Sequence, residues 1–136
     1  MKQLFIKKEN SPRLLLFFAG WGSDENLFRR TVAEGYDCLL CFDYRTLEFD
    51  YSLLDGYREI RLLAWSMGVW VAGQILSGRT YLWEMKLAVN GTPFPIDDRR
   101  GIAEAVFHGT LENFSDATLA RFSGRICGGA GQVKEF

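Results

Sequence analysis

Leu62-Leu63-Ala64-Trp65-Ser66-Met67-Gly68 is the stretch on which the reading of this chain turns. Before it, Ile60 to Ala64 reads as a buried strand. After it, Val69 to Leu76 reads as a helix, apolar nearly all round and closed by Gly78. Ser66 stands between two small residues, Ala64 and Gly68, in the pattern G-x-S-x-G with alanine in the first glycine position. The spacing has a mechanical reason. A strand that reverses into a helix within a few residues holds the serine in a strained backbone conformation with its Oγ projecting outward. A bulky Cβ on either side would clash, and the helix N-terminus behind the serine favours developing negative charge. The plainer alternative is a strand-to-helix turn that contains a serine. Motif and context together favour a nucleophile, so Ser66 is expected at positive φ with Oγ facing a cleft.

Working outward, the elements alternate. Leu4-Phe5-Ile6 is a short apolar run stopped by a turn cluster from Lys7 to Pro12. Arg13 to Phe18 and Asp37 to Phe42 are continuous apolar strands, as in a parallel sheet buried on both faces. Between them lies Ala19-Gly20-Trp21-Gly22, then Ser23 as a helix N-cap, with Asp24 and Glu25 in the first turn. Leu27, Phe28 and Val32 form the apolar stripe of that helix, and Gly35 its stop. Residues 45–57 show no clear period. Leu82 to Val89 reads as a further buried strand, ending at Asn90-Gly91-Thr92-Pro93. Strand and helix in alternation predict an α/β fold with a mainly parallel sheet and flanking helices.

A nucleophilic serine needs oxyanion donors. The residue after it supplies one backbone N–H, that of Met67, and the loop after an earlier strand supplies the second. The Ala19-Gly20-Trp21-Gly22 loop is in the required place. Its glycines let the backbone approach a carbonyl, and the Trp21 N–H is the natural donor. Trp65 lines an acyl pocket or packs under the turn; the sequence leaves both open.

Composition bounds the rest. The chain has 136 residues, 48% hydrophobic and 24% charged, an ordinary globular balance. Sixteen Lys+Arg against 17 Asp+Glu give a net charge of -1, which removes the electrostatic case for nucleic acid or an acidic membrane surface as partner. Three cysteines are too few, and odd in number, for a disulfide framework. Cys38 and Cys41 spell C-x-x-C, but residues three apart on a strand point to opposite faces and read as core thiols. Met1 to Lys8 lacks a signal-peptide apolar stretch, and the apolar run Leu14 to Gly22 is too short to span a bilayer. The expectation is a reduced, cytoplasmic protein. After Pro95 the character becomes polar, with Ser115 and Asp116 capping a helix that carries Ala117, Leu119, Ala120 and Phe122, then a Gly-rich tail.

Three segments carry a resemblance. Phe17-Phe18-Ala19-Gly20-Trp21-Gly22, Ala64-Trp65-Ser66-Met67-Gly68 and Asn90-Gly91-Thr92-Pro93-Phe94-Pro95-Ile96-Asp97-Asp98 resemble the BioG-type pimeloyl-acyl-carrier-protein methyl ester esterases, small α/β hydrolases of biotin synthesis. Phe107-His108-Gly109-Thr110-Leu111 adds to it, and the likeness runs to about Cys127. It implies an α/β-hydrolase-like fold and hydrolysis of a methyl ester on a carrier-bound pimeloyl chain. It also implies release of methanol and no metal or cofactor.

The resemblance also exposes a departure. In this fold the triad runs Ser, acid, His, with the histidine after the last strand. No further buried strand is legible after Val89. The chain therefore reads as an N-terminal part of such an enzyme: residues 1–95 the hydrolase core with the elbow, residues 96–136 the start of a cap insertion and the tail. Asp97 and Asp98 follow a strand's carboxyl end and are candidates for the triad acid or solvated loop charges; Asp43 is a weaker candidate at the same rim. His108, the single histidine, follows in the right order but falls in the cap region. Arg99, Arg100, Arg121 and Arg125 are the cations to examine for an acidic carrier protein. The competing expectation is a catalytically inactive hydrolase-fold fragment or binding protein lacking the triad histidine. Missing strands would leave Leu82 to Val89 as an open edge. A second copy of the chain would pair there or swap elements, residues beyond Pro95 would cover it, or another piece of the same protein would lie beside it.

Overall fold

The computed structural model describes residues 1–28 and 33–126. It divides into two compact units, Met1–Pro93 and Phe94–Phe136. The first unit is a five-stranded sheet in the order β1-β3-β2-β4-β5. Its strands are β1 (Lys2–Lys7), β2 (Arg13–Phe18), β3 (Asp37–Phe42), β4 (Glu59–Trp65) and β5 (Trp83–Val89). Only β1 runs antiparallel, against β3; the pairs β2–β3, β2–β4 and β4–β5 are parallel.

The continuous apolar runs behave as parallel-sheet physics requires. All six residues of β3 are buried, and Leu14, Leu16 and Phe18 of β2 are fully so. Strand alternation divides them between two faces. On one face Leu14, Leu16, Phe18, Leu39, Cys41, Ile60 and Ala64 pack against Val71, Ala72, Ile75 and Leu76 of helix α2 (Met67–Leu76). On the other, Phe17, Ala19, Leu40 and Phe42 meet Ile6, Phe28, Leu63 and Trp65. Each such large side chain taken out of water stabilises the fold by roughly 1.5–3 kcal/mol. Residues 45–57, without a legible period, hold a 3-10 turn at Tyr51–Leu54. They send Phe49 and Leu54 singly into the first core. Burial pushes the Cys38 thiol up to about 11 and the Cys41 thiol higher still, so both stay protonated core groups.

Two expectations are corrected. Helix α1 begins at Glu25 and runs to Phe28, and it is the Asp24 carboxylate, not Ser23, that accepts the Asn26 N–H at 2.9 Å. Ser23 Oγ is buried and has no hydrogen-bond partner among the described residues. Aspartate and serine are both good N-cap acceptors, and with the helix beginning at Glu25 it is Asp24 that stands in the cap position. Val32 lies outside the described residues. Second, β5 is not buried: it is an edge strand, with Met85, Leu87 and Val89 at 42%, 47% and 37% exposure. Its apolar run suits a strand with neighbours on both sides, and among the described residues only β4 pairs with it.

Among its described residues the second unit holds helices α3 (Glu104–Glu112) and α4 (Asp116–Ile126). Ser115 and Thr118 cap α4 reciprocally, with Thr118 Oγ1 accepting the Ser115 N–H at 2.8 Å and Ser115 Oγ the Thr118 N–H at 3.3 Å. Helix α3, which the sequence did not announce, has no buried residue. Residues 127–136, with Cys127 and most of the Gly-rich tail, lie outside the described residues.

At the amino end of β3, the Asp37 carboxylate accepts the Glu9 and Ser11 N–H groups at 2.8 and 3.1 Å and the Tyr57 hydroxyl at 2.8 Å. Burial pushes this carboxyl up, but the three bonds outweigh it and hold it below its ordinary value. A depressed folded-state pKa contributes stability above the unfolded carboxyl pKa of about 3.9, lost as pH falls through the folded value. Asp37→Asn is expected to lower stability by about 2 kcal/mol at pH 7. In urea titrations the gap to the parent should narrow steadily below about pH 4.

Candidate active site

Ser66 occupies the junction between β4 and α2 at φ 55° and ψ −123°. A positive φ at a non-glycine residue is uncommon and costs about 1–3 kcal/mol, so neighbouring structure must impose it. Three glycines show how. A Cβ on Gly68 would stand 2.3 Å from the Phe18 carbonyl oxygen and 2.6 Å from that of Ala19, so the first turn of α2 is pressed onto the end of β2. A Cβ on Gly91 would lie 2.4 Å from the Ser66 carbonyl oxygen and from Val69 Cγ2. One on Gly20 would lie 3.1 Å from the Trp65 ring and 3.3 Å from Ser66 Cβ. The Ser66 N–H donates to the Val89 carbonyl at 2.9 Å, tying the serine to the end of β5. Ser66 is half-buried and its side chain does not cap α2.

The loop after β2 is held at its root. Ala19 N–H donates to the Cys41 carbonyl at 3.0 Å, and the Tyr44 hydroxyl lies 2.8 Å from the carbonyl oxygens of both Ala19 and Cys41. Burial pushes the Tyr44 phenol up, so it stays a donor at every ordinary pH. A turn closes from the Gly20 carbonyl to the Ser23 N–H at 3.4 Å, with Gly22 at φ 76°, the sign a type II turn asks of its third residue. Trp21 sits at the crown of this turn, 47% exposed. Trp65 packs beneath it, with Phe28 edge-on at 6.2 Å and Gly20 against its face. The ends of β2, β3, β4 and β5 thus assemble one rim, where open parallel sheets carry their sites.

The remaining candidates stand as follows. The Asp43 carboxylate, at φ 54°, is taken by Arg45 in a two-point pair at 2.7 and 2.6 Å, which holds it below its ordinary range. Asp97 and His108 belong to the second unit. The Arg100 guanidinium, at 2.9 Å, and then the Arg99 N–H hold the Asp97 carboxyl down to about 2. The Asp98 carboxylate accepts the Glu104 N–H at 3.0 Å where α3 begins. His108 is exposed on α3, edge-on to Phe107 at 5.8 Å. Of the four arginines, Arg100 is thus engaged by Asp97 and stacks over Phe94 at 3.5 Å, and the Arg125 side chain lies outside the described residues. Among the described residues no three His, Cys, Asp or Glu side chains group as a metal site needs. No described helix is long and apolar enough to cross a membrane. The Tyr44 brace escaped the sequence reading; its signal is a tyrosine two residues beyond an apolar strand's end.

A parallel sheet that turns through a strained serine into a helix is the α/β-hydrolase arrangement. The fold alone is shared with a lipase-esterase related protein of Clostridium acetobutylicum, at TM-score 0.56 and 16% identity over 87% of this chain and 56% of that one. Residues 1–136 match the family described as pimeloyl-ACP methyl esterase BioG, and the chain belongs to that family. The crystal structure of BioG from Haemophilus influenzae superposes at TM-score 0.87 with 43% identity, over 98% of this chain and 61% of that chain. A Bacteroides fragilis protein named malonyl-[acyl-carrier protein] O-methyltransferase is 49% identical over 122 residues, which are 90% of this chain and 25% of that protein. An uncharacterized Haemophilus influenzae protein is 47% identical over 116 residues, 85% of this chain and 53% of its own length. This chain therefore spans 25% and 53% of the length of the two curated relatives and 61% of the solved BioG chain.

Two substitutions probe the rim. Gly68→Ala forces a methyl into the backbone of β2 and is expected to cost about 3 kcal/mol, read as a lower urea midpoint. Tyr44→Phe removes the brace from the Ala19 carbonyl; it should cost about 1 kcal/mol and speed amide exchange in residues 19–22.

Proposed function

We propose that this chain carries the nucleophile of a serine esterase that cleaves the methyl ester of a pimeloyl chain borne on an acyl carrier protein, in cytoplasmic biotin synthesis. The observation that supports it most is the positive φ of Ser66 inside the G-x-S-x-G frame of a BioG-family chain. Ser66 Oγ attacks the ester carbonyl as its proton passes to a histidine. The negative charge that develops on the carbonyl oxygen is received by the N–H groups of Met67 and Trp21. Methanol leaves with that proton, and water then hydrolyses the acyl-enzyme, returning free Ser66 and the pimeloyl acid. The Trp21 indole, exposed beside the serine's loop, walls the acyl chain, with Trp65 as the packing beneath it.

The general base is not assigned to His108, which is exposed on α3, nor the acid to Asp97, whose carboxylate is engaged by Arg100. Both roles go to polypeptide of the kind the relatives possess outside the matched region. The methyltransferase name of the Bacteroides protein is not carried over, because the match takes in 25% of it.

The 136-residue chain is expected to show little hydrolysis of short-chain p-nitrophenyl esters. Joined to the further residues of a full-length relative, it should be active on the carrier-bound methyl ester. Ser66→Ala should then lower the rate by a factor on the order of 10⁴ or more. Full activity in the short chain, lost on His108→Ala, would overturn this assignment and make His108 the base.

A further inference from the structure

Asn90-Gly91 follows β5 at the rim, and it is the one place in the chain where glycine comes after asparagine. An asparagine carboxamide is open to attack by the backbone nitrogen of the next residue, and a glycine there leaves the approach unhindered. Asn10, Asn26 and Asn113 are followed by Ser11, Leu27 and Phe114. In each of these pairs the fold also engages one of the two reacting groups. The Ser11 N–H donates to the Asp37 carboxylate at 3.1 Å, the Asn26 Nδ2 to the Asp24 carboxylate at 3.0 Å, and the Asn113 Nδ2 to the Gly109 carbonyl at 2.7 Å. At Asn90 both groups are at liberty. Its side chain is exposed, and among the described residues neither its carboxamide nor the Gly91 N–H makes a hydrogen bond.

The backbone adds to this. Asn90 sits at φ 46°, a left-handed conformation that asparagine tolerates at some cost. It ends the least covered strand of the sheet, so local opening reaches it before the inner strands. Gly91, by contrast, is pressed into place: a Cβ there would lie 2.4 Å from the Ser66 carbonyl oxygen and from Val69 Cγ2. The Val89 carbonyl accepts the Ser66 N–H at 2.9 Å. Lengthening the main chain between Val89 and Gly91 therefore moves one or both off the serine.

We propose that Asn90 is a modification site: it loses ammonia to form an imide with Gly91, and hydrolysis to an isoaspartyl link loosens the turn that holds Ser66. The Gly91 nitrogen gives its proton to hydroxide and bonds to Asn90 Cγ. The Cγ–Nδ2 bond breaks, and ammonia leaves with a proton from water, which restores the hydroxide. Water then adds to one of the two imide carbonyls. Opening at Cγ gives an ordinary aspartate. Opening at the backbone carbonyl routes the main chain through Cβ and Cγ, one carbon longer, and leaves the α-carboxylate as a side group. Water and hydroxide are the only co-reactants. Both products place a negative charge at the rim, but only the second lengthens the chain. The inference concerns the backbone around Ser66 and not its chemistry. Its readouts are covalent and conformational, so its failure is distinguishable from failure of the esterase reading.

The test ages the 136-residue chain at mildly alkaline pH. It follows ammonia release, peptide masses, and labelling by a protein isoaspartyl methyltransferase with S-adenosylmethionine. Asn90 is expected to convert roughly tenfold faster than Asn10, Asn26 or Asn113, at a rate proportional to hydroxide. Asp55-Gly56 can give the same imide without ammonia, so the ammonia yield and the mapped peptide separate the two. Asn90→Gly, which accepts the positive φ and lacks the carboxamide, should abolish the release. The isoaspartyl form, resolved chromatographically from the fresh and aspartyl chains, should exchange the Ser66 amide about tenfold faster than the fresh chain. Freshly prepared Asn90→Asp has the charge and the ordinary chain length, and should stay within about twofold of the parent. An Asn90 that converts no faster than Asn10 overturns the proposal. So does an isoaspartyl form whose Ser66 exchanges as in the fresh chain, or an Asn90→Asp variant that loosens Ser66 equally, since chain length is then not the cause.

Discussion

Ser66 holds a backbone conformation that an L-residue avoids, and it does so because three neighbouring segments press on it together. The carbonyls of Phe18 and Ala19 meet Gly68 from below, Gly91 closes on the Ser66 carbonyl, and Gly20 lies against Trp65 and Ser66 Cβ. These contacts follow from register. Phe18 pairs with Ala64 and Ala64 with Ala88, so parallel strands that start level also end level and deliver their loops to one rim. Small residues at 20, 64, 68 and 91 are the steric condition for that convergence. The strain of about 1–3 kcal/mol at Ser66 is modest beside the apolar burial in the sheet beneath it.

This explains which parts were legible in the sequence. β2 and β3 were, because a strand buried on both faces needs a continuous apolar run and few other structures do. The elbow was legible because its small residues answer to a local clash. Residues 45–57 were not: Phe49 and Leu54 reach the core one at a time from irregular backbone, and no period records that. β5 was misread as buried because its composition suits neighbours on both sides, and among the described residues β4 alone pairs with it. The cap of α1 was misplaced by one residue, since Ser23 and Asp24 carry equally suitable acceptors. Of the rim, Ser66 and the Gly20–Gly22 turn could be placed in advance, whereas Tyr44 acts through tertiary contacts that spacing does not encode.

The two ends of the sheet divide the work. At the amino end charges answer one another. The Arg13 and Arg61 guanidinium groups lie over the Tyr36 ring at 4.6 and 4.8 Å, and Tyr36 donates to Glu59 at 2.8 Å. Arg61 pairs with Glu84 and holds that carboxyl down to about 2. Asp37 is met by three donors. Groups so matched have little left to offer a ligand. At the carboxyl end the backbone is strained, Trp21 is half-exposed, and the Ser66 side chain makes no cap to α2. That asymmetry is what an open parallel sheet imposes, since every crossover returns beneath and every loop above is free to vary.

One consequence couples the edge to the elbow. The Ser66 N–H is satisfied by the Val89 carbonyl, and Gly91 reaches Ser66 from the residue after Asn90, itself at φ 46°. Two of the constraints on the serine therefore come from the end of β5, the least covered strand of the sheet. Local stability follows the number of buried apolar contacts and protected backbone bonds, so β5 frays before β2, β3 or β4. When it frays, the Ser66 N–H loses its acceptor and the turn loses one wall, while β2 and α2 keep the other. Covering β5 then does more than bury Met85, Leu87 and Val89. It stiffens the softest of the supports that hold Ser66 at positive φ, so rigidity at the site depends on a strand edge that lies outside it.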